Sequence, residues 1–170
     1  MFKNYRFLII FFYFFLITYA NSDDRKIVYL NLDLIVQNSI PGKLILEQLE
    51  NKKKKNIEKF KLEETKIRKK EEDIIKKKNV LSDEEFTSNV NSLKEEMSIY
   101  NKERKKILIE FEKNKKKELN EFLKKVTPLI QKFVKENSIN IVLNEKNLFI
   151  ASKKFDITEQ IIQIINENIK

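Results

Sequence analysis

Cysteine, histidine and tryptophan are absent from this sequence, and it holds a single glycine and two prolines. Without Cys or His there is no thiol nucleophile, no imidazole base and no zinc or iron–sulfur ligand set. One Gly leaves no phosphate-cradling loop and no dinucleotide fingerprint. No disulfide framework can form, which by itself does not fix the redox compartment. With Pro41, Gly42 and Pro128 as the only strong punctuation, a turn-rich all-β domain is disfavoured. What is present is charge: 36% of the 170 residues are charged, with 35 basic against 26 acidic and a formal charge of +9. Such a composition favours long solvated helices or disorder over one large core.

The first twenty residues read as an address. Lys3 and Arg6 precede an unbroken apolar run from Phe7 to Ile17, and Thr18-Tyr19-Ala20 follows. This is the order of a secretory signal, with cleavage expected between Ala20 and Asn21. The run is shorter than the ~20 residues a membrane-spanning helix needs.

Beyond it, residues 25–40 are apolar and β-branched, which predicts a strand over 26–31 and a helical turn near Leu32–Asn38. Pro41-Gly42 is read as the break before the next element. Residues 43–138 are densely charged, with one interruption at Asn79–Glu85. Ser82 with Glu85 three residues on is a capping box. It predicts helices over about 43–78 and 83–137, joined by a turn near 79–82. Thr127-Pro128 is either a helix restart or a kink. Residues 138–170 return to body-like composition: a strand over Ile139–Leu143, a hairpin-like connection at 144–147, and a strand over Leu148–Ser152. Asp156 and Glu159 are spaced to cap a terminal helix carrying Ile157, Ile161, Ile164, Ile165 and Ile169.

The long helices carry unequal seams. Phe86, Val90, Leu93, Met97, Tyr100, Ile107 and Phe111 alternate in steps of four and three, with Arg104 in one slot, which is coiled-coil spacing. The first helix offers Ile57, Phe60, Ile67, Ile74 and Leu81, close to one apolar residue per heptad. The two should therefore pair weakly along their length. Glu50–Lys54, Glu64–Arg68, Glu72–Lys76, Asp73–Lys77, Glu112–Lys116 and Glu121–Lys125 are spaced as helical ion pairs, each adding about 0.2–0.5 kcal/mol.

The fold class is thus α+β: a small strand-bearing body (residues 21–42 and 138–170) and a helical hairpin (43–137). About fifty body residues bury too little apolar surface to stand alone comfortably, and short apolar strands leave open edges. The body is therefore expected to oligomerise, with Ile27, Tyr29, Ile141, Leu143, Leu148 and Ile150 in its core.

This layout resembles the OmpH/Skp family of periplasmic chaperones. The resemblance is carried by Lys26-Ile27-Val28-Tyr29-Leu30-Asn31 with Leu34-Ile35 after it, by Val126-Thr127-Pro128-Leu129-Ile130, by Ile141-Val142-Leu143, by Leu148-Phe149-Ile150-Ala151, and by the closing Asp156-Ile157-Thr158. Departures are Ser138-Ile139-Asn140, where the family often has Gly-Tyr-Asp, and Asn144 in place of an acid. The resemblance implies a homotrimer with a small β-barrel-like body and three α-helical coiled-coil tentacles. It implies that unfolded outer-membrane β-barrel proteins are held between the tentacles, without ATP or any cofactor, during passage through the periplasm.

For such a holdase, Phe60, Ile67, Ile74, Phe86, Val90 and Met97 are the expected transient client contacts, against the plainer reading that they only pack the hairpin. Lys52–Lys55, Lys76–Lys78 and Lys115–Lys117 could attract acidic clients or anionic lipid headgroups; the plainer reading is a solvated face. A structural coiled-coil tether of the envelope is the alternative function. Specific nucleic-acid binding is not expected, since no reading surface accompanies the charge. An enzyme is not expected either: carboxylate pairs such as Glu63-Glu64 and Glu71-Glu72 lie in solvated helix.

Overall fold

The computed structural model describes residues 26–169, so the expected export signal and its expected Ala20–Asn21 junction lie outside the described residues. The element order is β1 (Ile27–Leu30), α1 (Leu32–Asn38), α2 (Ile40–Lys76), α3 (Asp83–Glu136), β2 (Ile141–Asn144), two single 3-10 turns (Glu145–Asn147 and Lys153–Phe155), and α4 (Thr158–Asn168). The molecule is mostly helical, with two long helices and one small strand pair.

Local chemistry sets the helix ends. At the tip, the Ser82 side chain accepts from the Glu85 N–H and the Glu85 carboxylate accepts from the Ser82 N–H, so the expected capping box forms. At the other end of α2 the expectation needs correction. Pro41-Gly42 is no break: Ser39 closes α1 and caps α2, its hydroxyl accepting from the Gly42 N–H at 3.3 Å, and Pro41 sits in the first turn. Proline is compatible there because its missing N–H would have had no helical partner. Pro128 does not restart the second helix either. α3 runs unbroken through it, and the Thr127 hydroxyl donates to the Leu123 carbonyl at 2.7 Å.

α3 ends in a Schellman arrangement. The Ile139 N–H reaches back to the Val134 carbonyl and the Ser138 N–H to Lys135, while Ile139 is buried. This places Ser138 in the left-handed region at φ 51°. Glycine takes that conformation without steric cost, which accounts physically for the glycine that the resemblance puts at this position. Replacing Ser138 with Gly is expected to stabilise the chain by about 0.5–1 kcal/mol, read as a raised denaturation midpoint at unchanged slope.

The sheet is not a local hairpin. β1 and β2 pair in parallel, Ile27 opposite Ile141 through Leu30 opposite Asn144. The expected second body strand over Leu148–Ser152 is absent: those residues form bends and irregular chain, and a 3-10 turn replaces the hairpin-like connection before them. Within the described residues the body is thus a two-stranded parallel sheet and not a barrel. Its inner face, Val28, Leu30 and Val142, packs on Ile35, Ile139, Ile157, Ile161, Ile162 and Ile165, together with Phe122 and Val126 from the base of α3.

The closing Asp156-Ile157-Thr158 triplet fastens α4 to β1. The Ile157 N–H donates to the Tyr29 carbonyl at 2.9 Å, and the Asn31 N–H donates to the Thr158 hydroxyl at 2.9 Å. Asp156 does not form a box with Glu159; its carboxylate accepts from the Thr158 N–H two residues on, at 2.9 Å. The start of α2 is tied to the same helix, the Ile40 N–H donating to the Asn166 side-chain oxygen at 2.7 Å.

Candidate functional site

Two surfaces stand out: an apolar face on the body and the seam of the arm formed by α2 and α3. On the body, strand alternation sends Val28 and Leu30 inward and Ile27 and Tyr29 to the opposite face. Ile27, Tyr29, Leu143, Leu148 and Ile150 line one open groove, with Phe155 beside them. Of the six residues expected in an oligomer core, five therefore share this groove, and Ile141 pairs with Ile27 at its edge. Within the single chain they are not the core: Ile27 and Ile141 are 43% and 44% exposed, Ile150 is 83% exposed, and only Tyr29 is buried. Phe149, on the same segment, is 99% exposed. The expected oligomer core leaves out Phe149, although the unbroken apolar run Leu148-Phe149-Ile150 that holds it is the available signal. The Tyr29 phenol is pushed above its ordinary range by burial first, then by the Asp156 and Glu145 carboxylates.

Along the arm the expected client-contact residues divide. Phe60 is buried, with the Arg104 guanidinium 5.5 Å from its ring centre. Ile67, Ile74, Phe86 and Val90 are half-buried, and Met97 is 43% exposed. Arg104, which looked like a gap in the seam, is thus a cation–π partner. Two polar links also join the helices: the Tyr100 hydroxyl donates to Glu64 at 2.7 Å, and Lys70 binds both oxygens of Glu96 at 2.5 and 2.6 Å. Desolvation, then the bond to Glu64, raises the Tyr100 phenol above its ordinary value.

The six ion pairs expected from spacing do not close within 4 Å among the described residues. Ion pairs form instead at Glu50–Lys53, Glu63–Lys66, Arg68–Glu72 and Lys132–Glu136, across the arm at Lys70–Glu96, and between Asp33 and Lys146. Exposed pairs of this kind contribute little, so long side chains settle by small margins. The three lysine clusters are exposed throughout.

The tip carries a pH-dependent element. Hydrogen bonds from the Ser82 backbone and then its side chain hold the Glu85 carboxyl below its ordinary value. A depressed carboxyl contributes stability above its unfolded-state value and loses it as pH falls through the lower folded-state value. Tip helicity is expected to fall on acidification below about pH 4, and Ser82→Ala should weaken the cap by about 1 kcal/mol at neutral pH while flattening that acid response. Amide chemical shifts of residues 83–90 against pH check both.

No metal-binding cluster occurs among the described residues, and no described helix is long and apolar enough to cross a membrane. Comparison with known proteins gives a consistent answer. No curated protein matches the chain. A crystal structure from Caulobacter crescentus CB15, described as an OmpH-like outer membrane chaperone, superposes with a TM-score of 0.75 at 16% identity, covering 85% of this chain and 86% of that one. At that identity the likeness is one of fold. The family model for outer membrane protein (OmpH-like) matches residues 26–165, from the first strand through most of α4. The chain therefore belongs to the OmpH-like outer membrane protein family, which is not a family of enzymes.

Proposed function

We propose that this protein is an ATP-independent periplasmic holdase: three chains close a β-barrel-like body, and their coiled-coil arms hold unfolded outer-membrane β-barrel proteins between them. The carrying observation is the outward apolar face of the body. Ile27, Ile141 and Leu143 are exposed on one chain, as are Phe149 and Ile150 of the segment Leu148–Ala151, which is in no sheet with the chain's own strands. A patch of this kind marks an interaction surface, and the open edges of a two-stranded sheet are a template for further strands. Pairing with a neighbouring copy would make Leu148–Ala151 the strand its apolar run calls for. Family membership, and the chaperone description of the Caulobacter crescentus structure, support the same reading. The residue limits of the export signal (1–20), arm (43–137) and body are part of it. The exposed lysines give the arms a field that would draw in acidic segments of a client, or anionic lipid headgroups.

The test is light scattering of residues 21–170 over a dilution series, followed by suppression of aggregation of an unfolded outer-membrane β-barrel protein diluted from denaturant without nucleotide. A mass of three chains with suppressed aggregation is expected. Ile150→Asp, which places a charge on the outward face, should lower the mass to one chain. A monomer or an elongated dimer that leaves aggregation unchanged would overturn the reading and favour an envelope tether.

A further inference from the structure

The arm is built in two ways along its length. Near the body it is sealed by apolar burial: Leu49 and Phe60 on α2 are buried, as are Phe122 and Val126 on α3. Toward the tip this stops. No residue of α2 beyond Phe60, and none of α3 before Phe122, is fully buried. Ile67, Ile74, Phe86, Val90 and Leu93 lie half-buried between the helices. Within this outer stretch lie both polar links between α2 and α3 found among the described residues, Tyr100 to Glu64 and Lys70 to Glu96. At its inner limit, Arg104 covers Phe60. An open groove lined by Lys70, Ile74, Leu93 and Glu96 runs beside the ion pair.

Half-buried apolar contacts with a polar residue in the seam give weak pairing, and exposed polar links add modest increments. Regions with few buried contacts are those that open first. We propose that Glu64, Lys70, Glu96 and Tyr100 form a latch that holds the outer arm shut over Ile67, Ile74, Val90 and Leu93, and that its release uncovers this apolar strip for an unfolded client. The second half rests on the holdase reading; the first stands on the arm alone. The inner arm, sealed by Phe60 and Phe122, stays closed and anchors the moving part. Client capture then draws on side chains that are partly covered at rest, which limits self-association of the free arms.

The experiment uses residues 21–170 carrying Lys70→Gln and Tyr100→Phe together. These substitutions remove both links and leave the seam apolar. Lys132→Gln, which removes one end of an ion pair within α3, controls for lost charge. Hydrogen exchange of residues 61–100 should accelerate roughly two- to fivefold for each link removed, while residues 110–135 and the body are unchanged. The charge-swapped pair Lys70→Glu with Glu96→Lys should restore slow exchange relative to either single reversal. Unchanged exchange in the outer arm, or acceleration spread evenly through inner arm and body, would overturn the latch. An unfolded outer-membrane β-barrel protein is then offered to wild type and latch variant, and slower client release from the variant is expected. If exchange accelerates but release does not change, the uncovering step is refuted. If neither protein holds the client, the holdase reading fails with it, and the exchange data still decide the latch.

Discussion

Replacing Ile161 with alanine is expected to cost about 3–4 kcal/mol, the middle of the range for buried isoleucine. Ile161 is completely buried on α4. It lies in the one cluster where β1, α1, the base of α3 and α4 meet, through Leu30, Ile35, Val126 and Ile157. Small folds rest on margins of about 5–15 kcal/mol, so this single cavity removes a large part of what holds the body. The arm should suffer less directly, because its seam lies outside that cluster. Chemical denaturation of residues 21–170 in a Tyr100→Phe background, which leaves Tyr29 as the one tyrosine, separates them at two probes: Tyr29 fluorescence should report an early loss of the body, and far-ultraviolet dichroism a smaller, later loss of helix. Ile161→Leu keeps the volume and should cost under about 1.5 kcal/mol. Equal effects of the two substitutions would mean that the site is not tightly packed.

The features legible in the sequence were those whose causes are local. The Ser82–Glu85 box, the two long helices and the terminal amphipathic helix each depend on residues within a few positions of one another. The failures had non-local or marginal causes. Parallel pairing of Ile27 with Ile141 joins positions 114 residues apart, and periodicity within either strand carries no information about its partner. Leu148–Ser152 opens with the strand-like apolar run Leu-Phe-Ile-Ala but is paired with no strand among the described residues. A short apolar run states a preference for burial and is silent on what covers it. Pro41-Gly42 is ambiguous in the sequence because proline punctuates both the end of one element and the first turn of the next. The missing information was that Ser39, one residue before α2, could cap it. For the candidate site, strand period puts Ile27 with Tyr29 and Ile141 with Leu143 on one side each, but that these sides meet each other and Leu148 and Ile150 in one groove was not legible. The roles of Arg104, Tyr100 and Glu64 were not either, since they depend on the register of two helices whose seams are unequal.

Gly42→Ala is the other substitution expected to do most damage, against its own helix propensity. Gly42 lies in the first turn of α2 and has no left-handed φ, so its value is not conformational freedom. In a helix interior alanine would be favoured over glycine by about 1 kcal/mol. What opposes it is space. A Cβ built on Gly42 overlaps the carbonyl oxygen of Val36 and comes within 2.7 Å of the Ser39 hydroxyl. The first obstacle is backbone of α1, so no rotamer change relieves it. The second is the very hydroxyl that caps α2. Relief requires the corner between α1 and α2 to open, which pulls Ile35, fully buried next to that turn, out of register with the body. Overpacking of this kind costs about 3 kcal/mol, enough to outweigh the propensity gain. The melting temperature of Gly42→Ala should therefore fall, while Lys43→Ala, exposed on the next residue, should leave it nearly unchanged. If Gly42→Ala instead melts at or above the wild-type temperature, propensity has won, and the α1–α2 corner is looser than the close approach of Val36 to Gly42 requires.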